Sequence, residues 1–185
     1  YGLKPYFPTT GSFGQLQYGI YGFLGNNSSL PVPFINTNFN PTIGINQYTL
    51  NNASRDFVIN NTITNSYVDS AGGTLENVIR LNNFANRINS GVNAVLNLFT
   101  ATLGYKALNR INSTQIVSVN TSVAVTNTLN STTMNNNKQH LFNSSFAGSA
   151  IYLTYYSMGA EVVIEGQLFR TAYNNYLTNI GLTPI

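Results

Sequence analysis

The sequence predicts a mainly β protein: a β-sandwich of the jelly-roll or immunoglobulin-like kind, with one long helical insertion and an extended N-terminal strand. Three observations favour this fold class. Runs rich in Val, Ile, Thr and Tyr alternate with polar residues, clusters of Gly, Pro and Asn separate these runs, and only one long segment has helical periodicity. With 43% hydrophobic residues in 185, the chain can bury a core without disulfides. We predict an N-terminal extension over residues 1–25 and a sandwich domain over residues 26–185.

The first element is an extended segment over residues 11–24. One face of a strand there would carry Leu16, Tyr18, Ile20, Gly22 and Leu24, and the other face also carries apolar side chains. Its glycines allow close approach of another backbone once a groove encloses the strand. The segment is therefore a candidate donor strand for a neighbouring subunit, and the alternative is an ordinary first strand of its own sheet.

In the middle of the chain, the sequence predicts strands over residues 46–50 and 55–64, followed by a long helix over residues 75–103. Apolar residues of this helix recur at alternating spacings of three and four: Val78, Leu81, Ala85, Ile88, Val92, Val95 and Phe99. Further apolar residues widen the stripe, so packing on a sheet is favoured over a coiled coil between subunits. Asparagines on the other faces are poor helix formers, and the helix must therefore be held by tertiary packing.

The last part of the chain, residues 111–185, is predicted to form mainly strands. Residues 115–128 alternate apolar and polar side chains, which is typical of a strand with one buried and one wet face. Residues 149–157 and 160–173 then predict a hairpin that turns near Met158 and Gly159. This region is rich in tyrosine, and its last residues, 173–185, are a second candidate for the exchanged element.

Composition excludes several classes of function. The chain has 30 asparagines but only 13 charged residues, with a net charge of +3 and no cysteine. Its eight basic residues are scattered singly, so we expect no nucleic acid partner. No run of 18 apolar residues occurs, so we expect no membrane span. Because only five carboxylates can be protonated, we expect the fold to tolerate acid.

Two features point to the outside of a cell. The chain begins at Tyr1, which we interpret as a processed start, and it contains eight sequons for N-linked glycans. Several of them lie in polar, turn-like runs. The candidate glycosylation sites are Asn26, Asn27, Asn52, Asn60, Asn112, Asn120, Asn130 and Asn143.

The sequence contains no pattern for catalysis, a metal or a cofactor. The only histidine, His140, lies in a polar connection without a nucleophile elbow nearby. Zinc would need three or four suitable ligands, and the acids do not cluster as in a calcium loop. Glu161 and Glu165 would share a face of the predicted strand about 13 Å apart, wider than the roughly 5 to 10 Å of glycosidase carboxylates. We therefore expect no enzyme.

The layout of the chain resembles secreted filament subunits of thermophilic archaea, the threads and bundling pili. The resemblance is carried by the processed start, the abundance of Asn, Thr and Tyr, the absence of Cys, the sequons and the Gly-rich segment 11–24 ahead of a β domain. It implies a sandwich missing one strand, whose groove accepts the N-terminal strand of the neighbouring subunit. Residues 11–24 correspond to that donor strand.

Three functions remain open at this point. The first is a subunit of an extracellular, cell-surface homopolymer, built head to tail like a pilus or fimbria and serving adhesion or cell–cell contact, because an open sheet edge is completed by a neighbour's strand. The second is a secreted carbohydrate-binding β-sandwich that uses its tyrosine-rich last strands as a sugar platform. The third is a viral capsid or fibre protein.

Overall fold

Antiparallel pairing of β-strands organises the protein. The computed structural model describes residues 4–6, 17–19, 22–24, 34–36, 48–61, 67–70, 79–80, 87–91, 103–121, 123–134, 140–141 and 152–185. These residues form twelve strands and one helix, and every strand pair among them is antiparallel. The prediction of a mainly β protein is confirmed.

The larger sheet has seven strands in the order β10-β9-β8-β5-β12-β3-β2. Its central strand β5 pairs with β8 on one side and with β12 on the other. The strands are β2 (Gln17–Gly19), β3 (Gly22–Leu24), β5 (Ala53–Asn61), β8 (Gly104–Arg110), β9 (Gln115–Asn120), β10 (Val123–Thr128) and β12 (Tyr152–Gly159).

The smaller sheet has five strands in the order β1-β4-β11-β6-β7. They are β1 (Lys4–Tyr6), β4 (Phe34–Asn36), β6 (Tyr67–Ser70), β7 (Ile79–Arg80) and β11 (His140–Leu141). Strands from the predicted N-terminal extension occur in both sheets, since β1 belongs to the smaller sheet and β2 and β3 to the larger one.

Both faces of the central strands of the larger sheet are covered. On one face Val58, Tyr105 and Val119 form a buried cluster with residues of the C-terminal helix. On the other face a second cluster includes Phe57 and Leu108 of the larger sheet together with Val68 of β6 and Leu141 of β11 in the smaller sheet. The central strands therefore carry buried residues at successive positions rather than at alternate ones, as is typical of strands covered on both sides.

A polar contact also joins the two sheets. Arg55 of β5 forms a buried ion pair with Asp69 of β6, with Nη1 3.0 Å from Oδ1. The other carboxylate oxygen of Asp69 accepts a hydrogen bond from the Tyr156 hydroxyl of β12. Burying these groups is tolerated because the two charges are paired and the carboxylate is also hydrogen-bonded.

The helix of the structure is α1 (Val163–Asn179), and it lies where the sequence predicted a strand. Strand β12 confirms the first half of the predicted hairpin, but the prediction of a strand over residues 160–173 was wrong. The helix docks closely on the sheet at Gly166, where an added Cβ would lie 1.9 Å from the Tyr105 hydroxyl oxygen. Only glycine allows this approach.

The predicted helix over residues 75–103 is wrong at every position in this range that the structure describes. Ile79 and Arg80 form strand β7, and Asn89 has a φ of 54°, which no right-handed helix contains. The Asn89 side chain donates to the carbonyl oxygens of Thr49 and Leu50 at 3.0 Å and accepts from the Tyr48 hydroxyl at 3.1 Å. Tertiary hydrogen bonds thus outcompete the helical pattern at an asparagine.

The strand predicted over residues 115–128 is two strands. β9 and β10 form a hairpin in which Asn120 pairs with Val123, and Thr121 between them has a φ of 58°. The alternation of side chains continues through the turn in the sequence, which explains why the pattern did not predict the reversal. β10 lies at an edge of the larger sheet, and most of its residues are exposed.

Candidate functional site

The edge of β12 is the candidate functional site. On one side this strand pairs with β5 along its whole length, from Tyr152 to Gly159. On the other side it pairs with β3 only at its first two residues, where Tyr152 lies opposite Leu24 and Leu153 opposite Phe23. Among the described residues, the stretch 155–159 therefore has a strand partner on one side only.

The candidate donor strand meets β12 at this edge. Of the five residues predicted to share one face, Tyr18 lies in β2 and Gly22 and Leu24 lie in β3, whereas Leu16 and Ile20 fall outside the described residues. β2 and β3 pair with each other, with Gly19 opposite Gly22, so the chain reverses between them instead of forming one continuous strand. The hairpin extends the larger sheet next to the first residues of β12.

The second candidate for exchange, residues 173–185, folds back on its own helix. The Ile185 amide donates to Asn174 Oδ1 at 3.0 Å, and Ile185 packs with the cluster beneath α1. Leu177 is buried. These contacts hold the C-terminal segment to the chain it belongs to.

A buried carboxylate lies beneath the helix. Asp56 of β5 is 3% exposed and accepts a hydrogen bond from the Tyr105 hydroxyl at 3.4 Å. Burial raises the pKa of Asp56 to about 6, although hydrogen bonds from Tyr155, Tyr105 and Ser157 act in the opposite direction. Burial also raises the pKa of both tyrosines. Because α1 and the sheet enclose this carboxylate, the folded protein disfavours its charged form.

The acidic and histidine residues singled out in the sequence are spread over the structure. Glu165 lies in the first turn of α1, and Glu161 lies just before this helix. The prediction that the two residues share one face of a strand was therefore wrong. His140 lies in β11 rather than in a loop. Among the described residues, no three His, Cys, Asp or Glu side chains come together as a metal site would require.

Of the tyrosines that would form a sugar platform, Tyr155, Tyr156 and Tyr173 pack against the fold, whereas Tyr176 is 57% exposed. Tyr155 stacks on Phe169 with ring centroids 4.2 Å apart, and Phe169 stacks on Tyr173 at 5.9 Å. Tyr156 packs against the core on the opposite face and hydrogen-bonds Asp69. An aromatic binding platform requires exposed ring faces, which these residues use for contacts between α1 and the sheet.

Three of the sequons lie at one end of the larger sheet. Asn112 lies in the turn between β8 and β9, and Asn130 follows β10, and both are exposed. The two segments are joined by hydrogen bonds from Leu129 N to Thr114 O and from Ser131 N to Ser113 O, each 2.8 Å. Asn52 is exposed at the same end, where its Oδ1 accepts from the Glu161 amide at 2.7 Å.

The other sequons differ from these three. Asn120 is partly buried, and its Oδ1 accepts a hydrogen bond from the Lys106 ammonium group. Burial lowers the pKa of Lys106 to about 8. Asn60 lies within β5. Asn26, Asn27 and Asn143 fall outside the described residues. Sequence reasoning treated all eight sequons alike, because nothing in a three-residue pattern reports burial.

In a host that attaches N-linked glycans, we expect occupancy at Asn112 and Asn130 and none at Asn120. The first two residues are exposed beside turns, whereas the Asn120 side chain is directed at a buried ammonium group. Mass spectrometry of glycopeptides measures the occupancy, with N112Q and N130Q as controls that each remove one glycan. Occupied Asn120 beside vacant Asn112 would contradict this expectation.

Among the described residues, no helix combines the length and the apolar character needed to cross a membrane. Comparisons with protein-family models, with curated proteins and with solved structures found no significant match to this chain.

Proposed function

We propose that this chain is a structural subunit of an extracellular homopolymeric filament, assembled by exchange of β-strands and serving adhesion or cell–cell contact. The observation that carries the proposal is the half-paired edge of β12, where residues 155–159 have a described strand partner on one side only. In this proposal the two sheets are the layers of a β-sandwich, and a neighbouring subunit supplies the strand that completes the edge.

A strand added at this edge provides two kinds of stabilisation at once. Backbone N–H and C=O groups along the edge join a ladder, and alternate side chains of the added strand enter pockets along the edge. A strand edge left open is a template for such pairing. If the β2–β3 hairpin opens into a single strand during exchange, the candidate donor would carry Leu16, Tyr18, Ile20, Gly22 and Leu24 on one face. Its small residues suit an enclosing groove.

The position of the donor segment lowers the free-energy cost of exchange between chains. Residues 23 and 24 already pair with the first residues of β12 within one chain. Pairing the same residues with β12 of the next subunit replaces an intrachain ladder by an identical interchain one, which is the energetic basis of domain swapping. Repetition without closure then produces a fibre.

The composition of the surface suits a polymer. A net charge of +3 and only 13 charged residues leave little electrostatic repulsion between copies. Glycans on Asn52, Asn112 and Asn130 would lie at one end of the larger sheet, close to the turn where β12 ends at Gly159 opposite Ser54. Neutral amides and glycans keep such a filament hydrated without adding charge.

Disulfide trapping distinguishes exchange between chains from pairing within one chain. Leu24 and Tyr152 lie directly opposite each other, at a Cα separation of about 4.5 to 5.5 Å for antiparallel pairs, which a disulfide can bridge. The chain has no cysteine of its own. In oxidised assemblies of the double variant L24C/Y152C, we expect a ladder of covalent oligomers on a non-reducing gel, which collapses to monomer on reduction.

The matched control is the double variant Q115C/T128C. These two exposed residues are also directly opposite, but they belong to the β9–β10 hairpin, so their disulfide stays within one chain. The control should run as a monomer in the same assemblies. Only intrachain disulfides in L24C/Y152C, or a protein that forms no fibre visible by electron microscopy, would refute strand exchange.

A further inference from the structure

A lysine and an asparagine meet side by side in the larger sheet. Lys106 of β8 lies directly opposite Asn120 of β9 on one side and Phe57 of β5 on the other. Directly opposite residues project from the same face of a sheet, with Cβ atoms about 4.5 to 5.5 Å apart. Here the Lys106 Nζ contacts the Asn120 Oδ1. Because Oδ1 is bonded to Cγ at about 1.23 Å, the nitrogen of the lysine lies beside the carbonyl carbon of the amide.

The fold excludes water from this lysine. Lys106 is 0% exposed, although lysine is almost never fully buried without a partner. Phe57 and Leu108, which share its face of the sheet, belong to the buried hydrophobic cluster on that face. Burial lowers the pKa of Lys106 to about 8. About a tenth of the molecules then carry the neutral amine at pH 7 and most carry it at pH 9, and the neutral amine is the nucleophilic form of lysine.

Among the described residues, the ionisable side chains on this face bond to other groups. Arg55 Nη1 of β5 lies 3.0 Å from Asp69 Oδ1 of β6, and the Tyr156 hydroxyl of β12 donates to the same carboxylate. Burial raises the pKa of Tyr156 well above its usual value, so this hydroxyl stays protonated. Arg110, on β8 itself, donates to backbone carbonyl oxygens. Desolvation is therefore the cause of the lowered pKa of Lys106.

We infer that Lys106 and Asn120 are a site of covalent modification, at which an isopeptide bond forms between their side chains and links β8 to β9. The neutral Lys106 nitrogen attacks Asn120 Cγ and forms a new C–N bond, and the bond from Cγ to Nδ2 breaks. A proton passes from the attacking nitrogen to the leaving nitrogen, which departs as ammonia. The reaction neither oxidises nor reduces either group, so it requires no further reactant.

The fold provides two conditions that this reaction lacks in water. The first is proximity, since reacting groups held in contact reach effective concentrations of about 10⁵–10⁸ M. The ladder between β8 and β9 fixes the pair, and immediately beyond it Thr121 N donates to Tyr105 O at 2.7 Å. The second is desolvation, which yields the neutral amine at moderate pH. The bond uses neither β12 nor the N-terminal hairpin, so it is independent of strand exchange.

The first test is the intact mass of the full chain, expressed in a host that attaches no N-linked glycans and held folded at pH 9. We expect the mass to fall by one ammonia, about 17 Da. K106R keeps the charge without a nucleophilic amine, and N120S removes the amide, so both variants should keep the full mass. The control N112A changes an exposed asparagine in the turn between the same strands and should lose ammonia as the wild type does. A wild-type mass that is unchanged after a week would overturn the proposal.

The second test locates the new bond, because an asparagine can also lose ammonia by closing a ring with its own backbone. Trypsin cleaves the denatured chain after Arg110, between the two residues, but it does not cleave after an acylated lysine. We expect residues 88–110 to remain linked to residues 111–138. Separate peptides 88–106 and 111–138, with the loss of ammonia on the second alone, would contradict the isopeptide bond. Circular dichroism confirms that K106R and N120S fold, and the two wild-type measurements do not depend on these variants.

Discussion

Replacing Asp69 with alanine is expected to lower the free energy of unfolding by about 3–5 kcal/mol. The carboxylate is fully buried, accepts hydrogen bonds from both Arg55 and Tyr156, and connects the two sheets. Its removal leaves the guanidinium of Arg55 buried without its counter-charge, and desolvation of that charge is then uncompensated. Urea unfolding followed by circular dichroism measures the loss, since the chain contains no tryptophan.

The triple variant R55M/D69L/Y156F is the control for this prediction. It replaces all three polar partners by apolar side chains of similar size, and such replacements are often neutral or stabilising. We expect it to recover most of the stability that D69A loses. If D69A costs less than about 1 kcal/mol, the pair behaves like an exposed salt bridge and the account of its burial is wrong.

Some strands were predictable from the types of their side chains. β5 combines β-branched and aromatic residues, which favour a strand. In β9 the prediction of one wet face was wrong, because Ile116 and Ser118 are buried as well as Val117 and Val119. The partners of these strands were not predictable. The pairing of Leu24 with Tyr152 and the ion pair between Arg55 and Asp69 depend on long-range contacts, which no local pattern encodes.

The two errors about helices have opposite physical causes. Val163, Phe169, Tyr173 and Leu177 follow helical spacing, but the β-branched and aromatic residues around them favoured a strand. Residues 75–103 have helical spacing too, yet Asn89 adopts a left-handed conformation and hydrogen-bonds distant segments. Periodicity describes which faces are apolar, and tertiary contacts decide which conformation uses them.

The candidate site was predictable only in part. The alternation of Leu16, Tyr18, Ile20, Gly22 and Leu24 identified the N-terminal segment, but the edge of β12 that it meets became visible only with the sheet order.

Protonation of Asp56 is expected to stabilise the folded protein as the pH falls. Burial raises its pKa from 3.8 to about 6 in the folded chain. A raised pKa means that the folded state binds the proton more tightly than the unfolded state. The stabilisation is therefore fully present below the unfolded pKa and is lost as the pH rises through about 6. For two pKa units the difference is roughly 3 kcal/mol.

The variant D56N isolates this contribution. Its amide mimics the protonated carboxyl and can still accept from the Tyr105 hydroxyl, so it carries no desolvation cost at neutral pH. We expect D56N to exceed the wild type by up to about 3 kcal/mol at pH 7.5 and to approach it at pH 3.5. Urea unfolding at a series of pH values measures the free energy of unfolding of both proteins. In the difference between the two proteins, the contributions of the other titrating groups cancel.

The tyrosines around Asp56 make this comparison specific. Both Tyr105 and Tyr155 have a raised pKa, so their hydroxyls stay protonated throughout the acid and neutral range and remain donors to residue 56. Asp56 is then the group of this cluster that titrates between pH 3.5 and 7.5. If the wild type and D56N differ by the same amount at both ends of that range, or if D56N is the less stable at pH 7.5, Asp56 is ionised in the folded protein without penalty. The helix α1 would then have to admit water to the carboxylate, which its packing through Gly166 against Tyr105 opposes.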